Sequence, residues 1–175
     1  MPQHSLARRP YNAGIDWPLK EHPAIALRRT PCIGICSTTY GDLVCRGCKR
    51  FAHEVVGWNG FEDSQRALVW QRLGQLLRES VAACVTIVDE AHLLAAAANY
   101  GLAPTADTAI ELVAYDVLRQ HLARDADPLL TELGLAPVAD RAAPIRAAEA
   151  TQRIDREFHE RSLAHYERSY RVLAR

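Results

Sequence analysis

Four of the chain's five cysteines fall within PCIGICSTTYGDLVCRGCKR, residues 31–50, spaced C-x3-C-x8-C-x2-C as Cys32, Cys36, Cys45 and Cys48. A tetrahedral metal site needs four soft ligands whose backbone can curl around one ion, and two close cysteine pairs joined by a hairpin meet that need. The second pair is the more informative. In Cys45-Arg46-Gly47-Cys48 the glycine is free to take positive φ and so to let backbone N–H groups point at sulfur. Four thiolates around a divalent ion leave a net charge of about minus two, and Arg46, Lys49 and Arg50 stand beside them as counter-charges. Disulfides and unrelated buried thiols are the plainer readings; clustered cysteines in a reducing compartment more often bind metal than pair. The spacing matches neither the bacterial C-x2-C-x2-C nor the plant-type C-x4-C-x2-C iron-sulfur pattern. Paired cysteines with a glycine before the last suit zinc, so zinc is the expected metal and an iron-sulfur cluster its alternative.

The rest of the chain has to position those ligands. With 175 residues, 49% of them hydrophobic, it suits one compact domain or a small module joined to a larger one. Acidic and basic residues balance at 21 each, so bulk charge steers toward neither nucleic acid nor membrane. Residues 1–60 carry eight Lys/Arg against four Asp/Glu and residues 61–175 thirteen against seventeen, a mildly basic front before a mildly acidic body. No apolar run follows Arg8 and Arg9, so no signal peptide is expected. Runs such as Leu93 to Ala98 fall far short of the roughly 20 residues a membrane helix requires. The expectation is a cytoplasmic protein that engages no membrane.

Residues 1–30, rich in Pro and Arg, read as an extended arm with Trp17 and Ile25 as anchors. Residues 31–61 read as a cysteine knuckle: a hairpin of Ile33 to Ser37 and Leu43 to Cys45 about a Tyr40-Gly41-Asp42 turn, then a short helix from Lys49 to Val56. Residues 62–175 read as a helical bundle. From Glu62, Val69, Leu73, Leu76, Leu77, Val81, Cys84, Val85, Val88 and Ala91 recur three or four apart. They predict one long amphipathic helix, begun by an Asn59/Glu62 capping box and stopped at Asn99-Tyr100-Gly101. A second helix is expected over about Asp107 to Ala123 and a short piece over Leu129 to Leu133. After an Ala/Pro loop comes a last helix over about Ile145 to Leu173. The fold class is therefore mainly α: a small four-cysteine metal knuckle, a short hairpin plus helix, preceding an α-helical bundle.

The run PCIGIC, CRGCKR and FAHEVVGWNGF, from Pro31 to about Leu73, resembles the bacterial family catalogued as domain of unknown function 1289. Its members are often labelled predicted iron-sulfur proteins. Glu54 and Trp58 stand where that family has them, and the resemblance implies that Cys32, Cys36, Cys45 and Cys48 are its ligands. Longer members resemble this chain in a helical extension with elements like Ile154 to Phe158 (IDREF) and Ala164 to Arg168 (AHYER).

Other signals are weaker. Val85 to His92 (VTIVDEAH) reads like a helicase DEAH box, but the phosphate-binding loop that chemistry requires is missing, since the two lysines, Lys20 and Lys49, lie in no such context. The apolar pattern also continues the helix where such a carboxylate should end a strand, so no nucleotide is expected. Cys84 reads as a core residue. His53 is a substitute ligand only if a cysteine drops out. His159 and His165, with Asp155, read as a solvated, charge-laced helix face rather than a carboxylate-histidine site.

A closed four-thiolate site offers no open coordination position, and the helical body shows no acid-base or nucleophile set. The functional expectation is a binding or adaptor protein, not an enzyme, with an unknown protein as its partner and nucleic acid as the alternative. Its partner surface would comprise Arg46, Lys49, Arg50, Phe51 and Trp58, with Lys49 and Arg50 also serving as thiolate counter-charges. Electron transfer or redox sensing through an iron-sulfur cluster is the rival function.

Overall fold

The β-branched run Val85-Thr86-Ile87-Val88 divides what the apolar spacing reads as one long helix. Branching at Cβ favours extended backbone, and the helix stops just before it. A computed structural model of the chain describes residues 30–120, 124, 126–140 and 143–171. The arm expected over residues 1–30, Trp17 and Ile25 included, lies outside them but for its last residue. The chain is mainly α, with five helices and one two-stranded sheet among the described residues. These are α1 (Ala52–Gly57), α2 (Asp63–Cys84), β1 (Val85–Ile87), α3 (Glu90–Asn99), α4 (Ile110–Arg119), β2 (Leu135–Pro137) and α5 (Ala147–Tyr166). Short 3-10 turns occupy Ser37–Tyr40, Trp58–Gly60 and Leu130–Leu133, and a π turn, Glu167–Arg171, extends α5.

The single long helix is thus corrected to helix, strand, helix. Asp89 caps the restart, its carboxylate accepting the His92 N–H at 2.9 Å. Strand β1 pairs antiparallel with β2, Val85 opposite Pro137 and Ile87 opposite Leu135, so part of the expected Ala/Pro loop is a strand. The DEAH-like carboxylate does follow a strand, contrary to the helical expectation. It sits at the end of a two-stranded ribbon, where its backbone N–H donates to Gly134 O at 3.1 Å. The capping residue of α2 is Glu62, not Asn59; its N–H donates to Gln65 Oε1 at 2.9 Å.

The core is the seam of α2, α4 and α5, with α3 closing one end. Helix α2 contributes Val69, Trp70, Leu73, Leu76, Leu77 and Val81, α4 contributes Leu112, Val113, Val117 and Leu118, and α5 contributes Ala147, Ala150, Ile154 and Phe158. Helices α2 and α5 run antiparallel: Arg161 Nη1 lies 3.6 Å from Glu79 Oε2, and one turn further along α5 His165 sits beside Phe51, over which Arg72 lies. Ser80 and Ser162 are both fully buried, their hydroxyls returned to the carbonyls of Leu76 and Phe158 at 2.6 and 2.7 Å. Small side chains with internally satisfied hydroxyls let the helices approach closely without an unpaired donor.

Gly134 locks the ribbon to α3. Its φ is +71°, and a Cβ there would stand 2.3 Å from Asp89 O. Gly134→Ala combines left-handed strain with a backbone clash and is expected to destabilise the fold by about 3 kcal/mol. A thermal melt followed by circular dichroism checks this; an unchanged midpoint would show the ribbon to be dispensable.

Candidate metal centre

The two cysteine pairs lie on two turns that touch. The second forms around an antiparallel bridge between Val44 and Phe51. Within it Cys45 N–H donates to Arg50 O and Lys49 N–H to Cys45 O, both at 2.8 Å, while Ala52 N–H reaches Leu43 O at 2.9 Å. The hairpin expected between Ile33 to Ser37 and Leu43 to Cys45 is therefore displaced. Ser37–Tyr40 coils as a 3-10 turn, and the bridge encloses the second cysteine pair instead. The helix expected from Lys49 starts at Ala52, because Lys49 is left-handed at φ +58° and Phe51 is extended.

Gly47 is required for a reason other than positive φ. A Cβ on it would stand 2.6 Å from Ile35 O and 3.0 Å from Ile33 Cγ1, so the glycine lets the first turn lie against the second. The positive φ falls two residues later, on Lys49, where a non-glycine residue gives up roughly 1 kcal/mol.

Backbone donors converge on sulfur. Burial opposes the ionisation of Cys45, yet the sulfur accepts from the N–H groups of Cys48, Ser37 and Gly47 and from the Cys48 thiol; these donors outweigh burial and hold its pKa at about 7 instead of 9.0. At Cys48 burial prevails and pushes the thiol up, although the sulfur accepts from the Arg50 N–H and from Arg50 Nε at 3.4 Å. On the first turn Gly34 N–H donates to Cys32 Sγ at 3.4 Å, and Cys36 Sγ lies 3.0 Å from Thr38 Oγ1. All four are free thiols: Cys45 and Cys48 are buried, and Cys32 and Cys36 are half-buried on the first turn. Among the described residues no three or more His, Cys, Asp or Glu side chains stand together in coordinating positions.

Of the five residues expected at a partner surface, only Arg46 is exposed, and it pairs with Asp42 at 2.9 Å. Lys49, Arg50, Phe51 and Trp58 are buried. Arg50 lies over the Trp58 ring at 4.7 Å, and Trp58 meets Trp70 of the core edge-on at 6.5 Å. Phe51 is enclosed by Arg72 (3.8 Å above its ring), His165, Tyr166 and Tyr170. Glu54 Oε2 joins the two halves by accepting Phe51 N–H at 2.9 Å and Arg72 Nη2 at 2.6 Å. Burial lowers the Arg72 guanidinium pKa while Glu54 opposes that shift.

The histidines expected on a solvated face belong to this junction. His159 and His165 are half-buried, both pKa values lowered by burial, and His53 Nε2 stands 3.3 Å from Tyr170 Oη. Cys84 is half-buried at the end of α2, its thiol pushed up by burial. The inward role of Lys49 and Arg50 was not legible from charge alone. The hint was their position immediately after a buried cysteine, ahead of an aromatic residue.

Residues 30–77 match the model of the family described as "Protein of unknown function (DUF1289)", as the resemblance over the cysteine segment implies. The match spans both cysteine pairs, Glu54, Trp58 and the first two-thirds of α2. No curated protein and no solved structure matches the chain.

Two outcomes follow from this geometry. In the metal-free protein the far-ultraviolet thiolate absorbance should rise with pH through a midpoint of about 7, because Cys45 is neutral below that pH and anionic above it; Cys45→Ser should abolish the step. Glu54→Ala leaves the largely shielded Arg72 guanidinium without its carboxylate and should destabilise the fold by about 2 kcal/mol. Chemical denaturation should show the Glu54→Leu/Arg72→Met pair to be the milder change.

Proposed function

We propose that this chain is a metal-binding protein in which Cys32, Cys36, Cys45 and Cys48 hold one structural zinc ion, and that the stapled front module is an adaptor surface for a protein partner. One observation carries the reading. Arg50 is buried, no carboxylate pairs with it among the described residues, its Nη1 has no partner, and its Nε donates to Cys48 Sγ. A guanidinium taken out of water needs a counter-charge, and a deprotonated, metal-held Cys48 supplies it. The N–H donors on Cys45 favour its thiolate, and the close approach at Gly47 brings the two cysteine turns into contact. The sulfurs do not converge as they stand, so binding would have to draw the half-buried Cys32 and Cys36 toward Cys45 and Cys48. Zinc, once bound, would keep the thiols deprotonated and close the two turns on each other without leaving an open coordination position.

The partner reading draws on exposed apolar side chains of the front module: Ile35 at 71%, Tyr40 at 91% and Leu43 at 52% exposure. A protein surface suits them better than nucleic acid, because Lys49 and Arg50 are spent internally and Arg46 is paired with Asp42. No helix among the described residues is long and apolar enough to cross a membrane.

Metal analysis of protein purified without oxygen tests the reading. A colourless sample with zinc near one per chain is the expected result. Brown protein with iron and acid-labile sulfide would replace zinc by the iron-sulfur alternative, with electron transfer or redox sensing as its role, and metal-free folded protein would sink both. Cys45→Ser should strip most of the metal and lower the melting temperature.

A further inference from the structure

Lys49 is an unusual residue for its place. It is 1% exposed, left-handed at φ +58°, and one of only two lysines in a chain that otherwise uses arginine. Its ammonium has three N–H donors and meets three acceptors: Arg46 O at 2.6 Å, Gly47 O at 3.4 Å and the carboxylate of Asp155. The two carbonyls belong to the residues between Cys45 and Cys48. The carboxylate belongs to α5, 106 residues downstream. An arginine fork is planar and cannot converge on one point in this way, whereas an ammonium can.

We infer that Asp155 is a positioning residue for the metal ligands: by holding the Lys49 ammonium against the Arg46 and Gly47 carbonyls it sets the turn that presents the Cys45 and Cys48 sulfurs. The inference rests on the proposed four-cysteine site and adds α5 to it. Burying an ammonium costs several kcal/mol unless it is paired, far more than the left-handed backbone of Lys49. Without Asp155 the ammonium has every reason to leave for water, and the turn whose carbonyls it holds would open with it. Phe158 completes the seat, its ring 5.6 Å from Lys49 Nζ, while Ile154 on the same helix is fully buried in the core. The IDREF element thus combines core residues with one outward carboxylate committed to the cysteine turn. Linkage makes the effect mutual: if Asp155 favours the metal-bound turn, metal favours the docked α5.

The test is zinc affinity, measured by competition with a chromophoric chelator, in the full chain and in Asp155→Asn, Lys49→Gly and the double variant. Asp155→Asn should weaken zinc by about 10–100-fold and alter the thiolate-to-metal charge-transfer bands of the cobalt(II) form. Lys49→Gly removes the ammonium and tolerates φ +58°, so adding Asp155→Asn to it should change zinc affinity by less than about threefold. A folded Asp155→Asn protein with wild-type affinity overturns the inference. So does an equal loss in the Lys49→Gly background, which would mean that Asp155 acts through the helix and not through Lys49. If Asp155→Asn fails to fold, the comparison of Lys49→Gly with the double variant decides in the same two directions. Wild-type protein that binds no zinc overturns the proposed function and this inference together, whereas zinc binding indifferent to Asp155 overturns the inference alone.

Discussion

Two buried cations and a third that is largely shielded govern this structure. Lys49 and Arg50 are buried and Arg72 is largely shielded from water within one small region, and each needs a partner that can offset the loss of water. Arg72 has Glu54, Lys49 has Asp155 and two carbonyls, and Arg50 has the Cys48 sulfur as a hydrogen-bond acceptor and the Trp58 ring beneath it. Because an unpaired buried charge costs more than any single apolar contact contributes, these pairings determine which elements must meet. Helix α1 is brought to α2 by Glu54 and Arg72; the cysteine turn is brought to α5 by Lys49 and Asp155. Apolar packing fills the space between, with Trp58 and Phe51 presenting rings to the guanidinium groups at about 0.5–2 kcal/mol each.

Helix α5 has two tasks along its length. Ile154, Phe158 and Ser162 close the core against α2, while Asp155, His159, His165 and Tyr166 face the front module. Charges and histidines on that side therefore contact protein. The AHYER element contributes His165 and Tyr166 to the rings around Phe51, and Tyr170 in the following π turn adds a third. A family match that ends at residue 77 thus covers only one side of a junction whose other side is supplied by residues 155–170.

The β ribbon shows a similar division between local and distant causes. Val85 to Ile87 prefers extended backbone for reasons within the residues themselves, but that preference competes with the apolar spacing of a helix. Pairing with Leu135 to Pro137, far along the chain, and the fit of Gly134 beneath Asp89 settle the competition. The DEAH-like string acquires its strand and its cap from this structural need. A phosphate loop is still absent from the sequence, and the backbone N–H groups of Val88 and Asp89 are committed to Gly134 O.

Spacing and composition alone determine the two cysteine pairs, the mainly α body, the apolar seams of α2 and α5, and the absence of a phosphate-binding lysine. These are properties of neighbouring residues, carried by short-range backbone geometry. Gly47 is legible in the sequence as a residue free to take positive φ, but Lys49 takes that φ instead, and the glycine's actual role is to let Ile35 O approach. The direction in which Lys49, Arg50, Phe51 and Trp58 face, the pairing of Asp155 across 106 residues and the break at Val85 belong to the tertiary structure. A charge beside a cysteine reads the same in sequence whether it points to water or inward, and only the arrival of α2 and α5 decides which, because they remove the water and α5 provides the Asp155 counter-charge to Lys49.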